Sequence, residues 1–110
     1  MTRAVEEVDA VFVALGDPTR RLLLERLGVH GEATATRLAA ELPVSRQAVV
    51  KHLGVLNHAG LVTGRRQGKE MRYAVRPDRL TATARWLTVV ATEWDRRLAA
   101  IRRLAETGPA

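Results

Sequence analysis

The stretch from Pro43 to Arg76 constrains the fold most strongly, because its residues favour one short helix followed by a β-hairpin. Ser45 begins the predicted helix, since a serine hydroxyl oxygen can accept a hydrogen bond from an unpaired backbone N–H of the first turn. Gly60 predicts the helix end, because glycine readily takes the left-handed conformation of a C-terminal stop. The inward face repeats at the helical period and comprises Val49, Leu53 and Leu56.

The outward face of this helix contains no acidic residue. It offers cations, a bifunctional amide and a small apolar side chain, which suit phosphates, base edges and thymine methyl groups. The residues that we predict to contact nucleic acid are Ser45, Arg46, Gln47, Val50, Lys51 and His52. Ser45 and His52 are assigned to the phosphate backbone and the others to the major groove. For His52, which we expect to pack beside Leu53, direct base contact is the alternative.

Two strands follow the helix, from Leu61 to Gln67 and from Glu70 to Val75, with Gly68 in the turn between them. Apolar residues recur at every second position of the second strand, and we predict that Met71, Tyr73 and Val75 face the core. Base stacking is the alternative for Tyr73. The turn and its flanks carry cations predicted to follow a phosphate backbone, namely Arg65, Arg66, Lys69 and Arg72.

The positive charge of the chain is concentrated in the same stretch. The 110 residues carry a formal net charge of +6. Residues 43–79 contain eight Lys or Arg and two acids, whereas residues 1–42 contain five Arg and seven acids. A cationic excess centred on the predicted helix and hairpin indicates a polyanionic partner, and the acidic front end argues against indiscriminate binding. The alternative interpretation is an ordinary solvated basic surface.

Three sequence runs stand in fixed order along residues 10–105: Leu15-Gly-Asp-Pro-Thr-Arg-Arg21, Ser45-x-x-Ala-Val-x-x-His-Leu53, and Ala59-Gly-Leu-Val62 leading to Arg65, Arg66, Gly68 and Tyr73. Together they resemble the ArsR-type winged helix-turn-helix repressors. The resemblance implies a mainly α fold with a small β-hairpin: five helices plus a two-stranded wing, dimerising through the first and last helices. It also implies a bacterial regulator that binds a palindromic operator in double-stranded DNA and usually represses its own operon.

We predict a single domain over residues 1–110, with an N-terminal dimerisation helix (1–16), a DNA-binding core and wing (17–76), a C-terminal dimerisation helix (77–105) and a tail (106–110). Asp17 and Pro18 predict the start of a second helix that runs to about Leu27 and ends at Gly28. A third helix is predicted from Thr34 to Leu42. We expect Arg20 and Arg21 to reach a phosphate or an acidic neighbour.

The last predicted helix carries an apolar seam, which comprises Leu80, Ala84, Leu87, Ala91, Trp94, Leu98, Ile101 and Ala105. A helix of about 25 residues extends about 38 Å, so much of this seam would stay wet unless a second subunit covered it. The residues predicted at a homodimer interface are Val5, Val8, Phe12, Leu80, Leu87, Trp94, Leu98 and Ile101. The alternatives are that the first helix is an ordinary core helix and that the last folds back wholly on its own domain.

Metal binding, cofactors and catalysis find no support in the sequence. Cysteine is absent and residues 77–105 contain no histidine, so the chain resembles the branch of the family that lacks metal ligands. Ser45 and His52 are about 10 Å apart along a helix and no carboxylate orients the imidazole, so we predict no enzyme activity.

No apolar run approaches the length of a membrane span and the N-terminus does not resemble a signal peptide, so we expect the protein to be cytoplasmic.

The alternative function classes are a non-specific architectural DNA-binding protein and an adaptor for an acidic protein. The releasing signal stays open among an unknown small-molecule effector, a protein and concentration alone.

Overall fold

The computed structural model describes residues 3–108, with side chains from Val5 onward. The described helices are α1 (Arg3–Leu15), α2 (Pro18–His30), α3 (Ala35–Ala40), α4 (Arg46–His58) and α5 (Asp78–Glu106). The described strands are β1 (Ala33–Thr34), β2 (Val62–Gln67) and β3 (Glu70–Val75). The predicted mainly α fold with five helices and a β-hairpin is therefore confirmed. We call the β2–β3 hairpin the wing.

Short polar side chains fix where the three central helices begin. The Asp17 carboxylate accepts hydrogen bonds from the backbone N–H groups of Thr19 and Arg20 ahead of α2. The Thr34 hydroxyl accepts one from Arg37 N ahead of α3, and the Ser45 hydroxyl accepts one from Ala48 N at 3.1 Å ahead of α4. Each cap satisfies a backbone donor that the first turn would otherwise leave unpaired.

The predicted end of α2 at Gly28 is wrong. The helix continues to His30, and Gly31 ends it with φ of 78°, while the Gly31 N–H donates to the Leu27 carbonyl at 2.8 Å. Gly31 has a positive φ, which suits glycine, and makes the hydrogen bond of a helix stop, whereas Gly28 lies within the helix. The predicted third helix was also too long, because Thr34 is its cap and the helix ends at Ala40.

The sheet has three antiparallel strands in the order β1-β3-β2, so the two-stranded prediction missed β1. This strand pairs Ala33 with Tyr73 and Thr34 with Arg72. It ties the segment between α2 and α3 to the base of the wing. The wing is therefore joined to the rest of the domain through this sheet.

One apolar core lies under α4, and its fully buried larger members are Val11, Leu23, Leu27, Leu38, Val49, Leu53, Leu56, Leu61 and Val62. Tyr73 and Val75 pack against this core as predicted. Met71 does not, since it remains 36% exposed and its sulfur lies beside Gly64 in the wing. Met71 is near the end of the hairpin, beyond the reach of the core.

Helix α5 extends well beyond this core. It has 29 residues, of which only Thr83 is buried, and the chain measures 75 × 31 × 20 Å along its principal axes. Its first turns pack against α1, where the Phe12 and Trp86 rings meet edge to face with centroids 5.6 Å apart. Within residues 3–108, no helix is long and apolar enough to cross a membrane.

Candidate nucleic-acid interface

The N-terminal half of α4 presents polar side chains to solvent because the opposite face of the helix is anchored in the core. Val49, Leu53 and Leu56 are fully buried. The exposed residues include five of the predicted contacts, namely Ser45, Arg46, Gln47, Val50 and Lys51. The Ser45 hydroxyl oxygen already accepts the capping hydrogen bond, which leaves its O–H free to act as a donor.

Arg46 is oriented by the neighbouring helix. Its Nε donates to the Thr36 hydroxyl oxygen of α3 at 3.1 Å. The two helices are joined by a tight turn that includes the half-buried Val44. The contact restricts the guanidinium while leaving its terminal nitrogens available for a bidentate hydrogen bond to a phosphate or a guanine edge.

A groove of about 310 Å³ separates α4 from the wing. It is lined by cations from both sides, Arg46 from α4 and Arg66 and Lys69 from the wing, with Val50 and Met71 among the apolar residues. This groove thus brings together three of the predicted basic contacts. A concave surface with clustered positive charge and little acidic lining attracts a polyanion.

Strand pairing places the other two wing cations on the opposite face. Arg65 lies directly opposite Arg72, whereas Arg66 lies opposite Met71, and side chains alternate between the faces along each strand. The guanidinium of Arg65 donates to Glu32 at 2.7 Å. The Nε of Arg72 is buried and has no hydrogen-bond partner among the described residues. The predicted DNA contacts of Arg65 and Arg72 therefore lie outside the groove.

His52 is half-buried at the junction between α4 and α2. Its Nδ1 lies 3.3 Å from Nη1 of Arg20, a contact that sequence spacing could not reveal because the residues are 32 positions apart. Arg21 and Arg20 were expected to reach a phosphate or an acid. Arg20 does reach an acid, since its Nη1 lies 3.8 Å from Asp17, and it also donates to main-chain carbonyls at the end of α1. Arg21 instead donates to the Leu15 carbonyl at 2.6 Å.

Two carboxylates, Asp17 ahead of α2 and Glu41 after α3, have lowered pKa values. Desolvation raises the pKa of Asp17, but hydrogen bonds from Thr19 and Arg20 and the nearby charges of His52 and Arg20 outweigh it, so the pKa lies below its ordinary value. A hydrogen bond from His30 lowers the pKa of Glu41. Both carboxylates therefore favour the charged form in the folded protein. Among the residues described, no group of His, Asp and Glu side chains could hold a metal ion.

The apolar seam of α5 is exposed apart from Leu80, which packs against the core of its own chain. The exposed fractions of Trp94, Leu98 and Ile101 are 56%, 50% and 61%. Of the α1 residues predicted at the interface, Phe12 contacts Trp86 of α5. Val8 and Trp86 line the same small apolar cavity. Trp86, expected to widen this apolar patch, is also exposed, as are Val89 and Leu104, which the sequence prediction did not name.

A short helix joined by a tight turn to a helix with a polar exposed face, beside a basic β-hairpin, defines a winged helix-turn-helix DNA-binding regulator. The helix-turn-helix domain family HTH_20 matches residues 15–65. The HTH-type transcriptional regulator Rv2034 of Mycobacterium tuberculosis is 39% identical over 99 residues, which cover 90% of this chain and 89% of that protein.

Solved structures agree with this class. An ArsR-like transcriptional regulator from Rhodococcus sp. RHA1 is similar with a TM-score of 0.83 and 45% identity, over 97% of this chain and all of that chain (100%). The homodimeric winged helix-turn-helix DNA-binding domain of a possible ArsR-family regulator from Mycobacterium bovis has a TM-score of 0.64 and 28% identity, over 81% and 82% of the two chains. This chain belongs to the ArsR family of winged helix-turn-helix transcriptional regulators.

Proposed function

We propose that the protein is a homodimeric, sequence-specific repressor that binds an inverted repeat in double-stranded DNA and controls its own operon. The groove between α4 and the wing supports the proposal, because Arg46 and Val50 of α4 line it together with Arg66 and Lys69 of the wing. Autorepression follows from what the ArsR resemblance implies, since a bound dimer would occlude a promoter that overlaps its operator. Operator DNA lies in the cytoplasm, where we place the protein.

Base reading and phosphate binding are divided between the two elements. Arg46, Gln47, Val50 and Lys51 of α4 would enter the major groove, where Val50 suits a thymine methyl group. The remaining predicted contacts, Ser45, His52, Arg65, Arg66, Lys69 and Arg72, would bind phosphates and set the register on the duplex. Arg66 and Lys69 are the best placed of the wing cations because they share the groove with Arg46.

The exposed seam of α5 supports the dimer. Leaving several large apolar side chains half exposed is unfavourable, and a second copy of α5 with the partner's α1 would cover them. A twofold dimer carries two α4 helices, so we expect half-site centres about 34–36 Å apart on straight DNA.

Selection of bound duplexes from a random pool tests the proposal. We expect an inverted repeat, and we expect binding to that repeat to survive a large excess of random duplex. Equal competition by random duplex would instead identify a non-specific architectural protein. If the protein had no affinity for any duplex but still bound an acidic protein after nuclease treatment, the adaptor alternative would be supported.

Two substitutions test whether α4 reads bases while the wing binds phosphates. Lys69→Ala should weaken binding to all duplexes alike and lower the salt slope by about one, because it removes a phosphate contact. Gln47→Ala should relax base preference at one position of each half-site and leave binding to random duplex nearly unchanged. Identical effects of both variants on operator and random duplex would contradict this assignment.

A further inference from the structure

The guanidinium of Arg20 is fixed between α1 and α4. Its Nε and Nη2 donate to the carbonyls of Ala14 and Val13, at 2.5 and 3.3 Å, and its side chain is only 16% exposed. Nη1 lies 3.8 Å from a carboxylate oxygen of Asp17 and 3.3 Å from Nδ1 of His52. Because these contacts lock the guanidinium, its N–H groups have a fixed direction relative to the imidazole.

This contact favours one position for the proton of neutral His52. An arginine side chain has five N–H donors and no acceptor, and it remains charged at any relevant pH. The atom facing Nη1 must therefore accept, so Nδ1 carries a lone pair. In a neutral imidazole the single proton then lies on Nε2, at the far edge of the ring from Arg20.

We propose that Arg20 is a positioning residue that selects the Nε2–H tautomer of His52, so that this N–H donates to a phosphate oxygen of bound DNA. His52 lies seven residues after Ser45 and thus on the same side of α4. It is half-buried, and its Nε2 makes no hydrogen bond within the described chain and is not one of the buried unpaired atoms there, so this edge of the ring is open to a ligand. The phosphate role rests on the function proposed above, whereas the tautomer depends only on the folded chain.

The tautomer is measured on the free protein by ¹⁵N NMR of the histidine rings at about pH 8.5, above the usual titration range of histidine. We expect the Nε2–H pattern for His52 in the wild type and a mixture of tautomers in Arg20→Gln. Arg21→Gln is the matched control, because Arg21 also binds an α1 carbonyl, that of Leu15, without contacting His52. An Nδ1–H or mixed pattern in the wild type would overturn the proposal.

Two replacements of His52 separate its two nitrogens. The side-chain amide of asparagine reaches the place of Nδ1, and that of glutamine reaches the place of Nε2. His52→Asn should weaken operator binding about tenfold, the usual scale for losing a hydrogen bond to a charged group, and His52→Gln should weaken it clearly less. Equal losses in the two variants, or a larger loss in His52→Gln, would contradict a donor at Nε2.

A double-substitution cycle then links the two residues. Arg20→Gln should weaken operator binding when it is introduced into the wild type. It should have little further effect when it is added to His52→Asn, because that variant has no donor at the place of Nε2 for Arg20 to orient. The same added loss in both backgrounds would show that Arg20 acts only through the stability of the α1 end. If the wild type bound no duplex at all, the proposed function and the phosphate role would both fail, while the NMR measurement would still decide the tautomer.

Discussion

At the residue scale, Gly60 shows how a single backbone position connects α4 to α5. Gly60 has φ of 78°, and a Cβ atom there would lie 2.6 Å from Nη1 of Arg79. That guanidinium donates to the Ala59 carbonyl at 2.8 Å and lies 3.7 Å from Glu7. The stop of α4, the start of α5 and the middle of α1 therefore meet at one glycine.

Gly60→Ala should lower the free energy of unfolding by about 1–2 kcal/mol for the left-handed conformation and by a further ~1 kcal/mol for displacing the Arg79 hydrogen bond. Gly31→Ala is the matched control, since Gly31 has the same φ but no atom within 4 Å of the added Cβ. Urea denaturation of both variants measures the difference. Equal decreases in unfolding free energy for Gly60→Ala and Gly31→Ala would mean that Arg79 moves aside at no cost.

At the element scale, the two faces of the wing should differ in their contribution to DNA binding. Arg66 lines the groove with Arg46, whereas Arg65 lies on the other face, paired with Glu32. We expect Arg66→Ala to weaken operator binding and to lower the salt slope by about one. We expect a smaller effect from Arg65→Ala, because that cation is already partly neutralised. A larger effect of Arg65→Ala in a salt titration would mean that the outer face follows the DNA.

The ends of α2 and α3 are joined by a pH-dependent contact. His30 Nε2 donates to Glu41 at 2.9 Å and lowers the pKa of Glu41 below its ordinary value of 4.5. A depressed carboxylate pKa stabilises the fold above about 4.5, and this contribution disappears as the pH falls through the folded-state pKa.

Glu41→Gln should therefore be less stable than the wild type at about pH 7, and this difference should be smaller at about pH 3 because the contribution is lost as the pH falls through the folded-state pKa. Urea midpoints at the two pH values measure this difference. The control is Glu25→Gln, since Glu25 is an exposed acid of α2 with no ion pair within the described chain. A gap between Glu41→Gln and the wild type that persists unchanged at the acidic pH would contradict the assignment.

The elements that the sequence predicted correctly are those whose signals are local. Ser45 caps α4 through a backbone N–H three residues away, so the start of that helix can be read from its own turn. Strand β1 has two residues and exists only because Ala33 meets Tyr73, forty positions later, so no local pattern indicates it. The pairing of Arg65 with Glu32 and the contact of Arg20 with His52 also span more than thirty positions. Tertiary structure thus decides which of the predicted cations face the groove.

At the scale of the whole molecule, α5 gives the protein its elongated shape. A helix of 29 residues extends about 43 Å, far more than the core beneath it needs. The Arg97 guanidinium lies 5.5 Å from the Trp94 ring centroid, so part of this ring is covered by a charged side chain of the same helix. The exposed apolar surface that remains runs along the seam toward the C-terminal end.

Leu98→Glu should convert the proposed homodimer to monomers, because it places a charge in the middle of the seam, where the leucine is 50% exposed in the single chain. Val29→Glu is the control, since Val29 is 74% exposed on α2, away from the seam. Sedimentation at micromolar concentration should show a dimer for the wild type and Val29→Glu and a monomer for Leu98→Glu, with unchanged far-UV circular dichroism. Operator affinity should fall with the dimer, because a single α4 reads only one half-site. A wild type that sediments as a monomer while still binding an inverted repeat would contradict dimerisation through α5.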